Sequence, residues 1–536
     1  MRIRSYPLWA HFCTLLLFGV GLIALLMLPV WITGFPFDFP RLWGVREFLA
    51  TGIIPSGDGR LNTLFLSLFH AWIPLEHISG WSLINAAVFA LSLIPWWLSV
   101  VKLFNVRVAW VSTVIIAFLP LYWLEVYYVR GYTLAILFLF LSFAIFAWMS
   151  QRSRIGALVC SGIFFGAAVA CKDAFITFLP WYVLAYLWLH RVRWKGGLKE
   201  CVLFLVFTFI AYSAPVLPQL LASSAPLPER VMTLFPFLER AQVSGGHFYP
   251  DLYTEEFEKG IFEAKLQEDL PTMPFLERMR HLKYALRFGI GNNVLSSLGS
   301  GVWLLLNQLP FLVHQDTVGG FFLWLFIIPG GIVLYRQKQY LFWMMVGLMA
   351  SMEVLIRFIL HFQRMHLMNT AWVLALFAGI GLVEIVEQLG KGRKHQVLLI
   401  LISMIIAGQL LQTNRKQLAR LYAHSEVPWI LAQAEVLKGI PEDSIVAHPL
   451  GNQPFYLADR KYIGFRSETV DRLIVERKLP EVFTHYGVTH VMGFENDLTQ
   501  RTVRSVPKIK TIPLASKADA KIDVTPWMNY VLHLFR

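Results

Sequence analysis

The sequence predicts a polytopic α-helical membrane protein of about eleven spans, followed by a C-terminal soluble α/β domain. Hydrophobic residues make up 56% of the 536 residues, and charged residues only 15%. Many apolar runs are long enough to cross about 30 Å of hydrocarbon. From about Tyr422 onward, short apolar runs alternate with polar turns instead. These observations exclude a wholly soluble protein.

The charge distribution points to membrane orientation. The formal net charge is +13, but the basic residues cluster in short loops between apolar runs, so no nucleic-acid partner is predicted. The four cysteines lie in or beside apolar runs without CxxC spacing, and they offer no metal site. The first apolar run, from Leu8 to Ile32, is longer than the core of a signal peptide and is predicted to be a retained span.

The spans follow from run length, and their orientation follows from the basic loops. An apolar run at 294–313 is placed at the membrane interface or as a re-entrant segment. If it spanned, the basic clusters at 336–338 and 391–394 would lie outside. The segments 33–80, 124–130, 222–315 and 357–366, the turn at Lys172 and the tail are then external. The predicted spans are 8–32, 81–104, 107–123, 131–149, 155–171, 174–190, 200–221, 318–335, 340–356, 367–389 and 396–413.

The chain therefore divides into a membrane domain, 1–415, and a soluble external α/β domain, 416–536. The tail contains none of the GxGxxG, P-loop, DxD or HExxH motifs, so a packing or acceptor-binding module is predicted. Its predicted helices are 430–439 and 471–478, and its predicted strands are 444–447, 461–465, 488–493, 508–513 and 530–535.

Asp38 opens the loop after the first span, within Phe35–Arg41. A short amphipathic helix follows, with Leu42, Val45 and Leu49 on one side. One interpretation makes Asp38 a catalytic carboxylate at the external membrane surface. The other makes it the cap of this helix, because Asp before Pro and an apolar run is a common helix start.

Two further external turns carry ionisable groups, which are costly at membrane depth and so mark candidate sites. Glu125 and Arg130 lie five residues apart in a short turn between two spans, and they could simply pair with each other. Lys172 lies in a tight loop, where it could reach an anionic headgroup. An ordinary hairpin turn between spans is the alternative interpretation for Lys172.

A late external loop contains Arg357, Arg364 and His366 at the end of an apolar run. A basic cluster outside runs against the orientation rule, and a phosphate-bearing ligand would explain it because Arg binds phosphate in a bidentate manner. Side chains reaching up to lipid headgroups are the alternative. Carboxylates and cations on one face could activate an acceptor hydroxyl beside a bound phosphate.

Over roughly residues 8–390, the order of these features resembles the membrane glycosyltransferases of the GT-C fold, in the branch of protein O-mannosyltransferases and lipid A aminoarabinose transferases. In that branch, an acidic motif opens the first external loop, and basic residues begin later loops. The residues that carry the resemblance are Asp38, Val45-Arg46-Glu47-Phe48-Leu49, Gly52, Pro120, Arg130, Tyr132, Lys172-Asp173-Ala174-Phe175 and Arg357.

The resemblance implies an inverting transfer of a sugar from a polyprenyl-phosphate donor to a hydroxyl of a lipid, glycan or protein acceptor. It implies that Asp38 is the general base, that Glu125 assists it, and that the cations named above bind the donor phosphate. Phe39 stands where the family usually has a second acid. A metal site is therefore not expected, although a divalent cation stays open.

Two functions from other classes remain alternatives. A secondary transporter or lipid flippase would need ionisable groups in mid-span and inverted repeats, and the sequence shows neither. A catalytically inactive scaffold is compatible with the missing second acid. The expected location is a bacterial inner membrane with the tail in the periplasm, since no organelle-targeting signal is present.

Overall fold

The chain forms two compact units, the helical unit and the α/β unit. The helical unit comprises Met1–Phe37, Gly52–Arg240 and Leu305–His424, and the α/β unit comprises Asp38–Thr51, Ala241–Leu304 and Ser425–Arg536. The structure, a computed structural model, describes residues 7–33, 39–54, 59–73, 78–127, 131–150, 152–189, 194–222, 320–359, 368–389, 393–423, 427–448, 453–458, 460–465, 467–493, 496–506 and 508–514.

Helices dominate both units. Short 3-10 turns lie at Asp173–Phe178, Ala214–Val216 and Phe321–Leu323. The α-helices are α1 (Leu8–Thr33), α2 (Phe39–Thr51), α3 (Arg60–Phe69), α4 (Ile78–Leu103), α5 (Val106–Phe118), α6 (Pro120–Tyr127), α7 (Tyr132–Met149), α8 (Arg154–Cys171), α9 (Leu179–Leu189), α10 (Trp194–Ser213), α11 (Leu217–Ala222), α12 (Trp324–Gln337), α13 (Gln339–Ile359), α14 (Met368–Leu389), α15 (Arg393–Ala423), α16 (Val427–Lys438), α17 (Gln453–Ala458), α18 (Ser467–Val475), α19 (Leu479–His485) and α20 (Asn496–Ser505).

The helices of the helical unit confirm the polytopic prediction. Among the described residues, seven helices are long and apolar enough to cross a membrane, and the bent pair α5 and α6 makes an eighth. Three shorter apolar helices, at Asp173–Leu184, Phe321–Gln337 and Gln339–Met349, lie at the other predicted spans. The segment 294–313 lies outside the described residues.

The α5 and α6 axes meet at an angle of 52° next to Pro120. Proline lacks an amide N–H, and it forces the preceding residue out of the helical conformation. The carbonyl groups freed by this break gain side-chain donors. Trp123 Nε1 donates to the Ala117 carbonyl at 2.7 Å, and Asn414 Nδ2 donates to the Phe118 carbonyl at 2.9 Å. Both carbonyl groups at the bend are therefore hydrogen-bonded to side chains.

Glycines bring α12 and α14 into backbone contact. A Cβ atom added at Gly330 would lie 1.8 Å from the Phe377 carbonyl oxygen. A Cβ atom added at Gly381 would lie 2.0 Å from the Phe326 carbonyl oxygen. Small residues at such crossings allow the close van der Waals packing that holds membrane helices together.

One end of the helical unit collects basic side chains. Lys102 lies at the end of α4, with its Nζ 5.1 Å from the centre of the Trp148 ring. Lys338, between α12 and α13, donates to the last carbonyl of α4. Ion pairs at this end join Arg107 to Glu387 at 2.6 Å and Arg154 to Glu200 at 2.6 Å. The loops expected to be cytoplasmic thus meet at one end of the helices.

The α/β unit contains a sheet flanked by helices, as the tail sequence predicted, and the parallel pairing of its strands is a finding of the structure. The four described strands run in the order β2-β1-β3-β4, and all three pairings are parallel. The helices α17, α19 and α20 were missed. The predicted segment at 530–535 lies outside the described residues. The strands are β1 (Ile445–His448), β2 (Lys461–Gly464), β3 (His490–Met492) and β4 (Lys510–Ile512).

Each face of this sheet has its own apolar core. Val446 and Met492 face one cluster with Leu437 of α16, while Ala447 and Val491 face the other. Parallel sheets are usually covered on both faces in this way. Helix α2 belongs to this unit and contacts α17.

Helix α2 confirms the predicted helix after the first span, but only part of the apolar side predicted for it is buried. Leu42 and Val45 are fully buried, as expected for its apolar side. Leu49, which was expected on the same side, is 43% exposed. The buried stripe is therefore limited to the first half of the helix.

Stability of the α/β unit is expected to fall in mild acid because of His490 on β3. Burial and the nearby Lys510 charge lower the pKa of His490 below its ordinary value of 6.5. The folded state therefore favours neutral His490. This contribution to stability is complete above pH 6.5 and is lost as the pH falls below it. A His490→Gln variant should lose less stability between pH 7.5 and 5.5.

The measurement is pulse proteolysis of residues 425–536 in the detergent-solubilised full chain at graded urea concentrations. Wild type and His490→Gln are compared at both pH values. If the variant keeps the full acid sensitivity of the wild type, His490 is not its source.

Candidate active site

Several helix ends meet at the end of the helical unit opposite its basic loops. Tyr127 Oη, on the last residue of α6, donates to the Leu26 carbonyl of α1 at 2.9 Å. Tyr122 Oη donates to the carbonyl of Met368, the first residue of α14, at 3.0 Å. Helix α7 begins here as well. We call this region the Glu125 end, after the buried acid of α6.

Glu125 lies in the last turn of α6, and only 1% of it is exposed. The sequence predicted a loop at 124–130, and the structure corrects this for the first part of that range. Pro120 bends the span and starts a new helix that continues to Tyr127, so Glu125 is helical and buried. Charged residues at membrane depth usually face a bundle interior or cavity, and they mark functional sites.

Gly131 fixes the start of α7. Its φ of +84° is a left-handed conformation that favours glycine. A Cβ atom there would lie 2.9 Å from the Cys171 carbonyl oxygen and 3.2 Å from Asn62 Cβ. This close approach joins the start of α7 to the end of α8 and to α3.

Lys172 follows α8 in an extended conformation and is only 8% exposed. The break between helices that the sequence predicted at this residue is present. Its Nζ lies 4.9 Å from the centre of the Tyr132 ring, within the range of a cation–π interaction. Lys172 thus places a positive charge beside the first turn of α7.

Two charged residues that were not predicted as site residues belong to the same end. Arg60 begins α3 and is 2% exposed, and Asp173 follows Lys172. The charges of both act on the hydroxyl group of Tyr212 in α10. The signal that could have found Arg60 is its position before a short apolar helix inside the predicted external loop.

The structure describes the other predicted site residues only in part or not at all. Asp38, Arg130, Arg364 and His366 lie outside the described residues. Arg357 lies in the last turn of α13, and only its helical backbone is described. The structure therefore brings Glu125 and Lys172 to the same end, whereas the roles of the full set stay predictions.

The described parts of the chain contain no group of three or more His, Cys, Asp or Glu side chains that could hold a metal ion. Among the described charges at the Glu125 end are two cations, Arg60 and Lys172, and two carboxylates, Glu125 and Asp173. Buried cations of this kind can bind a phosphate, and a buried carboxylate can accept a hydrogen bond from a hydroxyl group.

No family model matches the sequence, and no curated protein matches it. Solved structures, by contrast, share its fold. The crystal structure of ArnT from Cupriavidus metallidurans bound to undecaprenyl phosphate has a TM-score of 0.56 at 11% identity. That match covers 93% of this chain and 89% of ArnT.

Two structures from Archaeoglobus fulgidus are also similar. The oligosaccharyltransferase AglB, in complex with an inhibitory peptide and a dolichol-phosphate, has a TM-score of 0.54 at 13% identity, covering 88% of this chain and 69% of AglB. The oligosaccharyltransferase tethered to an acceptor peptide has a TM-score of 0.51 at 12% identity. This chain covers 64% of that protein's length. At these identities, the similarity shows a common fold.

Proposed function

We propose that this chain, which has the GT-C fold, is a membrane glycosyltransferase that moves a sugar from a polyprenyl-phosphate donor to an acceptor hydroxyl. The observation that carries the proposal is that two buried cations, Lys172 and Arg60, and a buried acid, Glu125, lie at the same end of the helices. The similar ArnT structure holds undecaprenyl phosphate, and the similar AglB structure holds a dolichol-phosphate. These ligands support a lipid phosphate as the donor.

The transfer has one nucleophile and one leaving group. Asp38, as general base, takes the proton of the acceptor hydroxyl, and the acceptor oxygen attacks the anomeric carbon. The bond between that carbon and the phosphate oxygen breaks, and the polyprenyl phosphate leaves with its electron pair. Attack opposite the leaving group inverts the sugar configuration.

The cations have the role of binding the phosphate and stabilising its charge as it leaves. Lys172 is the predicted phosphate ligand whose side chain the structure describes. Arg60 was not predicted, and we add it to the set because of its position in the structure. Glu125 orients the acceptor or pairs with Arg130. The remaining phosphate ligands in the proposal are Arg130, Arg357, Arg364 and His366.

We assign the membrane domain to residues 1–415, with the base in loop 33–80 and the acceptor entrance in 222–315. The domain 416–536 is external. The clustering of basic loops at the opposite end supports an outward-facing Glu125 end, because Lys and Arg favour the cytoplasmic side. We assign transfer to the periplasmic side of a bacterial inner membrane. Asp38 without an adjacent second acid favours a metal-independent reaction.

The test is a transfer assay in detergent with purified protein, a panel of polyprenyl-phosphate sugars and crude membrane acceptors. Loss of sugar from the lipid in the wild type, and not in the Asp38→Asn variant, would establish the reaction and identify the donor. If the wild type consumes no donor, the transporter and scaffold alternatives gain weight.

Lys172→Met is expected to raise the KM for the lipid donor by about tenfold to a hundredfold, the loss typical of one hydrogen bond to a charged group. Methionine keeps the length of the side chain and removes its charge. Lys172→Arg keeps the charge and should retain more donor affinity. The measurement is initial rate against donor concentration in mixed micelles.

The matched control is Lys102→Met, which removes a lysine that also lies over an aromatic ring, but at the opposite end. This variant should leave the donor KM unchanged. Equal effects of the two substitutions would mean that Lys172 acts on folding and not on the donor.

A further inference from the structure

We infer that Asn85 is a positioning residue, which holds the Glu125 turn of α6 at a fixed distance from the start of α7. The inference rests on the proposed function, because Glu125 is taken to orient the acceptor. Asn85 lies on α4 and is 6% exposed. It connects three helices through a single amide group.

The amide nitrogen of Asn85 binds the end of α6. Its Nδ2 donates to the Glu125 carbonyl at 3.0 Å and to the Val126 carbonyl at 2.9 Å. The last carbonyl groups of a helix lack partners within the helix. Asn85 supplies donors to two of them, so it fixes the backbone that carries the Glu125 carboxylate.

The amide oxygen of Asn85 binds α7. Thr133 Oγ1, in the first turn of α7, donates to Asn85 Oδ1. Thr133 is 1% exposed, so water does not compete for this bond. The Nζ atom of Lys172 lies over the ring of Tyr132, the adjacent residue of α7. The Asn85 amide thus connects the backbone of Glu125, which is proposed to orient the acceptor, to the start of α7, where Lys172 of the proposed phosphate site lies.

The orientation of this amide is determined by its partners. Two carbonyls face Nδ2, and one hydroxyl faces Oδ1, so a rotated amide would place its oxygen against two acceptors. A buried amide costs free energy unless its groups are hydrogen-bonded. A hydrophobic residue would fill a bundle core equally well, so the observed bonds favour a role in geometry.

Thr133→Val is the substitution that isolates this role. Valine has the shape of threonine and removes only the hydroxyl that holds Asn85 Oδ1. Interhelical hydrogen bonds in membranes are individually modest, so the variant should fold and give about a fivefold rise in acceptor KM. The donor KM should stay unchanged. Thr133→Ser restores the hydroxyl and should restore the acceptor KM.

A double-mutant cycle with Glu125→Gln connects the effect to Glu125. If Asn85 and Thr133 act by placing Glu125, Thr133→Val should change acceptor KM by less than about twofold in the Glu125→Gln background. Asn85→Leu should raise acceptor KM more than Thr133→Val does. Thermal melting in detergent monitors folding of each variant.

The outcomes separate the two proposals. Wild-type turnover with unchanged acceptor KM in Thr133→Val overturns the role of Asn85 and leaves the transferase intact. A drop in kcat alone, with both KM values unchanged, also overturns it, since that result indicates fewer folded molecules. Absence of wild-type turnover with every donor overturns the proposed function and this inference together.

Discussion

Asp38→Asn is expected to lower turnover by about a thousandfold, within the range typical of losing a general base. Asparagine keeps the size of the side chain but cannot accept the proton of the acceptor hydroxyl. The acceptor oxygen must then attack as a neutral and weaker nucleophile. Donor binding should change little, because the cations that bind the phosphate are separate residues. The measurement is release of sugar from the lipid donor at saturating acceptor.

The matched control is Asp58→Asn, because Asp58 is the other aspartate of the 33–80 loop. This variant should keep wild-type turnover. A cap role for Asp38 predicts a different result. In that case, Asp38→Ser, which supplies another good N-cap side chain, would retain activity as well as stability. Full activity in either Asp38 variant would eliminate the general-base assignment.

Gly330→Ala is expected to destabilise the helical unit by more than about 3 kcal/mol, at the upper end of overpacking effects. The added methyl group would lie 1.8 Å from the Phe377 carbonyl oxygen. That obstacle is backbone and cannot rotate away, so α12 and α14 must separate. The loss would extend along the crossing, where Gly381 meets the Phe326 carbonyl.

The control is the neighbouring glycine. A Cβ atom at Gly331 would find Phe342 Cε2 at 3.7 Å, an ordinary contact. Gly331→Ala should therefore behave like the wild type. The readout is the fraction of monodisperse protein on size-exclusion chromatography after heating in detergent. Equal recovery of Gly330→Ala and Gly331→Ala would show that the helices do not cross this closely.

Run length and composition were sufficient to locate the long apolar helices of the membrane part, because crossing hydrocarbon imposes both, but they did not locate the short helix α3. The break at Pro120 was not predicted, since the predicted span 107–123 ran through this residue, although the chemical cause of the break is local. Its consequence for Glu125 was not visible. Whether the chain after the proline continues as a turn or as a buried helix depends on donors from distant residues, such as Asn414.

The candidate site shows the same division between local and distant causes. Lys172 stood out because it interrupts two apolar runs. Arg60 did not stand out, because its burial results from packing of α3 against helices far along the chain. Asn85 is one polar residue inside a span, and its role becomes apparent only from its three hydrogen bonds to neighbouring helices.

In the α/β unit, the apolar strands β1, β2 and β3 were readable, because a parallel sheet buries them on both faces. Helices α17, α19 and α20 were missed. Helix α20, Asn496–Ser505, is rich in polar residues, and its buried side is narrow. Short helices of this kind gain most of their stability from tertiary packing, which the sequence pattern does not display.

The contact between α2 and α17 also sets an order in time for synthesis of the chain. Helix α2 ends at Thr51, and its contact α17 begins at Gln453, roughly 400 residues later. At about 5–20 residues per second, the ribosome needs about 20–80 s to make the intervening chain. The segment that follows Asp38 therefore waits for this contact until translation is nearly complete, and a nascent chain inserted up to α15 still lacks it.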